Sequence, residues 1–490
     1  MNIVSPILAQ ARLQPTALAI CVPGAPQPFM SYGRLAACLN NVGQHALAAG
    51  LERGDIVAIF VSDPVLHLVL MLGLTRLGIV TISADALQIP KDVGVQVLMT
   101  DAPLPADAGR CVQVDRSWMT GDAEAPPGTP DEDDRHGIAR IVLTSGTTGQ
   151  QKGVALTHDM IALRVAAFTY AFGARIAQCS RFFIDVRPST NYGFQWIVLV
   201  LSRGGALFLR GTDPAETLQA FELYRVQCMA SALYGLNEFL EYYEKSPDFT
   251  CPFEVITAGG AVAWKSFVDR VHARMCSHFV CSYGASEVSP VAVAPHHRIA
   301  EIAGAVGYVC AGVTVQAVDE ANHVLAAGEP GIIRIRGDVC VDRYVGNPPG
   351  SDRAFRDGWF YPGDIGHLTA DNVLVISGRQ AAVLNVGGNK IAPEAIEQVL
   401  HDFLGVDQAG AFCVENEFGL SEVWAAIVAQ GQIDESLLHR HCQMRLAHEF
   451  VPRRFLRVQA LPRNVNGKLD RQRLSEFGSP VKARSADTPL

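Results

Sequence analysis

Over the first 150 residues, short apolar runs alternate with longer stretches of helical spacing. DIVAIFVS (55–62) reads as a strand, VLHLVLMLGLTRLG (65–78) as a helix and IVTISAD (79–85) as a second strand. VQVLMTD (95–101) and ARIVLTS (139–145) are two further strands, each ending in small or polar residues. This alternation predicts an α/β fold with a mainly parallel sheet and helices on both faces. In that architecture ligands collect at the carboxyl ends of strands.

The pattern breaks twice. Residues 119–137, MTGDAEAPPGTPDEDDRHG, are rich in proline, glycine and acid and predict a surface connection. A second seam follows VLVISGRQ, near Gly378 to Ala381, and leaves a unit of ordinary size for one small domain. The expected organisation is a large multi-sheet core domain over residues 1–379, with helices packed on the sheets, and a small α+β lid domain over 380–490. The ending SEFGSPVKARSADTPL is expected to fray.

At 490 residues the chain exceeds what one core usually supports. Apolar residues at 49% and charged residues at 18% describe a globular protein with ample core. The net charge of −9 and the lack of any basic run argue against a nucleic-acid surface, so a phosphate ligand requires positive potential to be concentrated locally. Twelve cysteines stand singly with no CxxC pair, which predicts free thiols in a reducing cytoplasm. The start, MNIVSPILAQARLQP, has neither a basic cluster nor a sustained apolar core, so no signal peptide is expected. The longest apolar stretches are broken at Asp63–Pro64 and at Arg203–Gly204–Gly205, short of the ~20 residues of a membrane span. A soluble protein without stable membrane insertion is expected.

Candidate chemistry begins at TSGTTGQQKG (144–153). Its glycines let backbone approach a ligand, and its hydroxyls and Lys152 supply donors suited to phosphate, although alone it is equally readable as a solvated loop. It is not a Walker A loop, because Gln150 and Gln151 separate glycine from lysine and Gly153 follows. Further segments follow in order: TAGGAV (257–262), SYGASEVSP (282–290), DGWFYPGDIG (357–366), SGRQAAVLNVGGNKIAPEAIE (377–397) and LPRNVNGKLDRQRL (461–474). The series resembles the acyl-adenylate-forming superfamily: acyl- and aryl-CoA synthetases, peptide-synthetase adenylation domains and luciferases. It is nearest to a stand-alone acyl-CoA ligase.

The resemblance implies ATP and Mg2+ as cofactors and coenzyme A, or a holo carrier protein, as co-substrate. It implies activation of a carboxylic acid to acyl-AMP with release of pyrophosphate, then transfer to a thiol. Thr144, Ser145, Gly146, Thr147, Thr148, Gly149 and Lys152 would surround the β- and γ-phosphates. Glu287 would be the magnesium ligand, a hard carboxylate for a hard cation. Tyr283, within Ser282–Tyr283–Gly284, would stack on adenine, and Ser286 would lie beside the α-phosphate. Gly259, Gly260 and Ala261 would let backbone approach the adenine edge. Asp364 would accept the ribose hydroxyls with help from Arg379. Lys468 would reach between the attacking carboxylate and the α-phosphate. Gly387 and Gly388 would leave room for a pantetheine arm.

Two departures bear on the expectation. Gln380–Ala381 replaces the usual hinge sequence ending in aspartate. Tyr192 stands where adenylation domains for amino acids carry an aspartate, so a buried α-ammonium would lack its counter-ion and an α-amino acid is disfavoured. Tyr192, Gly193 and Trp196, with Phe194, either line a pocket for a short acyl or aryl acid or include core aromatics. A carrier-loading adenylation enzyme, a nucleotide-binding homologue without turnover and a luciferase-type oxygenase remain alternatives.

Overall fold

The first strand–helix–strand unit forms for local reasons. Asp63 caps the helix Pro64–Arg76 by accepting from the amides of Val65 and Leu66, and Pro64 fits its first turn. That helix is apolar on every side and is buried from Leu66 to Thr75. It returns the chain so that Ile56–Phe60 and Val80–Ser83 pair in parallel. The computed structural model describes residues 1–84, 89–103, 109–121, 123–125, 136–145, 151–246, 250–260, 263, 265–348, 350–382, 384–386, 389–415, 421–429, 431–464 and 467–478.

Ile56–Phe60 and Val80–Ser83 lie within a six-stranded sheet whose last member, Gln151–Thr157, runs antiparallel to Ile138–Ser145. Thr144 and Ser145 at the end of one strand therefore face Lys152 and Gln151 at the start of the next. A parallel return needs a dozen or more residues, and this connection is far too short.

A second sheet has 15 strands. In one half, Leu18–Cys21, Ala206–Phe208, Arg181–Asp185, Cys228–Ala232, Val255–Gly259 and Phe279–Tyr283 are parallel neighbours. The other half, from Ala292–Pro295 through Val373–Arg379 to Gly331–Gly337, is antiparallel. The expected helix-covered parallel sheets are present, and the antiparallel half is built from hairpin sequences C-terminal to the alternating region.

The acidic connection is less detached than its composition implies. Asn41 donates to Gly121 O at 2.9 Å and accepts from Ala123 N at 2.9 Å, while Asn40 donates to Ala123 O. Residues 126–135 of that connection lie outside the described residues, as does the tail from 479.

Helix His158–Gln178 is long and apolar enough to cross a membrane by length and composition, but its inner face carries Ile161, Arg164, Phe168, Phe172 and Ile176 into the protein interior. Beyond Arg379 the chain builds a hairpin, Leu384–Val386 with Asn389–Ile391, and a sheet of Val406–Glu415, Ser421–Ala429 and Arg454–Arg457. The two hydrophobic clusters there use only residues from Leu384 onward.

Candidate active site

The parallel strands Val255–Gly259 and Phe279–Tyr283 end side by side, with Gly259 opposite Ser282. Close packing explains Gly259, since a β-carbon there would meet Ser282 O at 3.1 Å and the Tyr192 ring at 3.8 Å. Next to this edge, register places Asp364 opposite Arg379. Their Oδ1 and Nε are 3.0 Å apart. Tyr283 Oη donates to the other Asp364 oxygen. Asp364 is buried, and burial raises its pKa against the opposing pull of Arg379 and Tyr283. Both its oxygens thus have partners before any ligand arrives.

Lys468 enters from the lid. Asn464 and Gly467 form the turn beneath it: Asn464 Oδ1 accepts from Lys468 N at 3.1 Å, and Gly467 N donates to Asn464 O at 2.9 Å. The turn rests on the core at Tyr234, with the Arg463 guanidinium 5.1 Å from that ring's centroid. Arg471 then ties the loop to helix Pro393–His401 through Glu394 at 2.7 Å and Glu397 at 2.8 Å. The Lys468 side chain is solvent-accessible in the cleft yet crowded by protein from both domains. That partial desolvation lowers its pKa, and Arg379 lowers it further, while Asp364 and Glu287 oppose the change. The lid lysine therefore feels both core carboxylates.

Glu287 is buried, and its Oε1 accepts from Tyr344 Oη at 2.7 Å. Lys152 Nζ lies 4.7 Å from the centroid of the same Tyr344 ring, so the motif lysine is linked to Glu287 through a tyrosine. Thr144 pairs with Lys152 across the hairpin, and its hydroxyl donates to Lys152 O at 3.4 Å. A single oriented carboxylate suits magnesium, which keeps several waters and takes further oxygens from phosphates. Among the described residues no group of three or more His, Cys, Asp or Glu could hold a metal. The donor set thus fits a magnesium–nucleotide and not a closed protein cage.

The pocket expectation divides. Tyr192 is half-buried beside Gly259, and its hydroxyl is 3.2 Å from Thr257 Oγ1. Trp196, four residues along the same helix face, is completely buried among Phe168, Phe172 and Phe182. It is part of the core, and so is Phe194. Gly193 is needed because a β-carbon would sit 2.3 Å from Arg187 O, a packing constraint rather than a ligand contact. Ser282 and Ser286 lie on the strand and loop leading to Glu287, and Gly284 is exposed between them. Gly146, Thr147, Thr148, Gly149, Ala261, Gly387 and Gly388 lie outside the described residues, as do the side chains of Ser145 and Ala381.

Two contributors were not singled out from sequence. Tyr344 sits in an ordinary loop, and nothing local marks it. The other is Arg164, whose guanidinium donates to Ser286 O at 2.8 Å and Glu287 O at 2.9 Å; its signal was a lone arginine in the apolar helical run IALRVAAF.

A large multi-sheet α/β body with a small C-terminal unit, whose Lys468 reaches Gly260 at the edge of the core sheet, is the fold of adenylate-forming enzymes. The chain matches the family described as AMP-binding enzyme over residues 8–345, and it belongs to that family. It is similar to the 4-chlorobenzoate–CoA ligase of Arthrobacter sp, at 25% identity covering 98% of this chain and 95% of that protein. The long-chain-fatty-acid–CoA ligase FadD13 of Mycobacterium tuberculosis is 24% identical over 90% of this chain and 91% of its own length. Among solved structures, o-succinylbenzoate CoA synthetase (MenE) from Bacillus subtilis in complex with OSB-AMP superposes with a TM-score of 0.82 at 21% identity, covering 96% of this chain and 97% of that one.

Proposed function

We propose that this protein is an ATP-dependent acid–thiol ligase that forms an acyl-AMP and passes the acyl group to coenzyme A. The observation that carries the reading is the convergence of Lys468, from the lid, with Asp364, Arg379 and Glu287 of the core. In the first step a substrate carboxylate oxygen bonds to the α-phosphorus of ATP and pyrophosphate leaves. Both reactants are anionic, so the barrier is largely electrostatic, and a preorganised ammonium is the group most suited to lower it. Asp364 and Arg379 would orient the nucleoside. Lys152 would neutralise the departing phosphates. Magnesium held at Glu287 would supply further charge neutralisation. In the second step a thiol sulfur attacks the acyl carbon, the acyl–phosphate bond breaks and AMP departs.

The acid is read as a short acyl or aryl carboxylate. Tyr192 offers an aromatic wall and no counter-ion for an α-ammonium, and similarity to the 4-chlorobenzoate ligase points the same way. Coenzyme A is favoured as acceptor by the names of the CoA-ligase relatives. Hydroxamate trapping and pyrophosphate exchange across a panel of aryl and short acyl acids test the reading. At least one acid should support ATP-dependent turnover, and none doing so would overturn it. Free CoA and holo carrier proteins, offered separately as acceptors, identify the thiol.

A further inference from the structure

Arg164 is a buried guanidinium with no carboxylate oxygen among its hydrogen-bond acceptors in the described residues, and the reaction outlined above assigns it no role. Its side chain is fully buried on the inner face of helix His158–Gln178. The guanidinium donates only to backbone carbonyls: Ser286 O at 2.8 Å, Glu287 O at 2.9 Å, and Val339 O at 3.1 and 2.7 Å. These carbonyls belong to two different loops. One carries Glu287. The other continues to Val341, whose amide donates to Glu287 O at 2.9 Å, and to Tyr344, whose hydroxyl holds the Glu287 carboxylate at 2.7 Å.

We propose that Arg164 is a positioning residue for metal–nucleotide binding: it staples the two loops together so that the Glu287 carboxylate is aimed before ligand arrives. A rigid fork can serve carbonyls on both loops at once, which the compact ammonium of lysine cannot reproduce. The geometry explains why a full charge is placed in the interior at all. Outer groups that orient a metal ligand typically contribute 10–100-fold in affinity.

The proposal rests on the ligase reading, and the experiment separates the two. Binding of Mn2+·ATP, without acid, is measured by calorimetry for the wild type, Arg164→Lys, Arg164→Gln and Tyr344→Phe. Thermal unfolding and thiol transfer from preformed acyl-AMP are followed in parallel. The expected result is Mn2+·ATP binding weakened about 10–100-fold in the arginine variants, with thiol transfer changed less than threefold. Tyr344→Phe, which loses only a hydroxyl, should weaken binding in the same direction, and the pair with Arg164→Lys should be less than additive. Should the arginine variants fail to fold, Tyr344→Phe alone decides, and unchanged Mn2+·ATP affinity in it overturns the proposal. Equal losses in both half-reactions, or folded variants with wild-type affinity, also overturn it. A wild type that binds no Mn2+·ATP and adenylates no acid would instead remove the ligase reading.

Discussion

The Cε of Lys468 lies 3.7 Å from the point where a β-carbon on Gly260 would stand. One residue comes from the C-terminal unit beyond Arg379 and the other from the edge of the core sheet. Gly260 has φ +90°, a conformation that side chains rarely adopt. Gly260→Ala is expected to cost about 1–3 kcal/mol through backbone strain, while its methyl would meet the lysine stem at an ordinary van der Waals distance. Acyl-AMP formation should fall more than thiol transfer, as measured by comparing the two half-reactions beside a thermal melt.

Tyr192 and Trp196 lie on one helix face, yet they should respond to mutation differently. Tyr192→Ala opens space beside Gly259 and should shift the preferred acid toward bulkier aryl carboxylates, with KM for ATP little changed. Trp196→Ala should cost about 3–5 kcal/mol in stability, because it empties a fully buried site. Acid-panel kinetics and denaturant unfolding on the two variants check this. A specificity change from Trp196→Ala without loss of stability would contradict its place in the core.

Arg379→Ala leaves Asp364 buried with Tyr283 as its remaining neutral donor. The Asp364 pKa, already raised by burial, should rise further. A carboxyl with a raised folded-state pKa stabilises most below its unfolded value of 3.8 and loses that contribution as pH climbs through the folded value. The variant should therefore lose stability relative to wild type as pH rises above 3.8, and KM for ATP should rise. Melting temperatures across that range measure the first effect and steady-state kinetics the second.

In the proposed reaction Lys468 acts as an ammonium, and its pKa is held below the ordinary 10.5. Activity requiring that charge is present below the folded pKa and lost as pH rises through it. Pyrophosphate exchange should thus show an alkaline limb earlier than a free lysine would give, and Lys468→Arg should move that limb out of range. Thiol transfer from preformed acyl-AMP should lack the lysine-dependent limb.

Much of the fold could be read from the chain because the strand–helix alternation of residues 55–101 is local and strongly patterned. The hairpin at Thr144 and Lys152 could not, because the loop motif conceals the direction of the returning strand. Asp364, Arg379, Glu287 and Lys468 stood out through ordered motifs far apart in sequence, and folding brings them to one cleft. Trp196 was ambiguous for a physical reason: a helix face lining a pocket and one filling a core share the same period, and only depth separates them. Arg164 and Tyr344 act through backbone carbonyls and a single hydroxyl. Such contacts depend on tertiary approach, so the lone arginine of IALRVAAF marked a position without its partners and Tyr344 was marked by nothing.

The most direct test is the Lys468→Ala enzyme assayed in each half-reaction separately, using the acid that the panel identifies. Acyl-AMP formation should drop by about 10²–10³-fold, while transfer from supplied acyl-AMP to the thiol stays close to wild type. Equal loss in both steps, or undiminished acyl-AMP formation, would contradict the role given to the lid lysine.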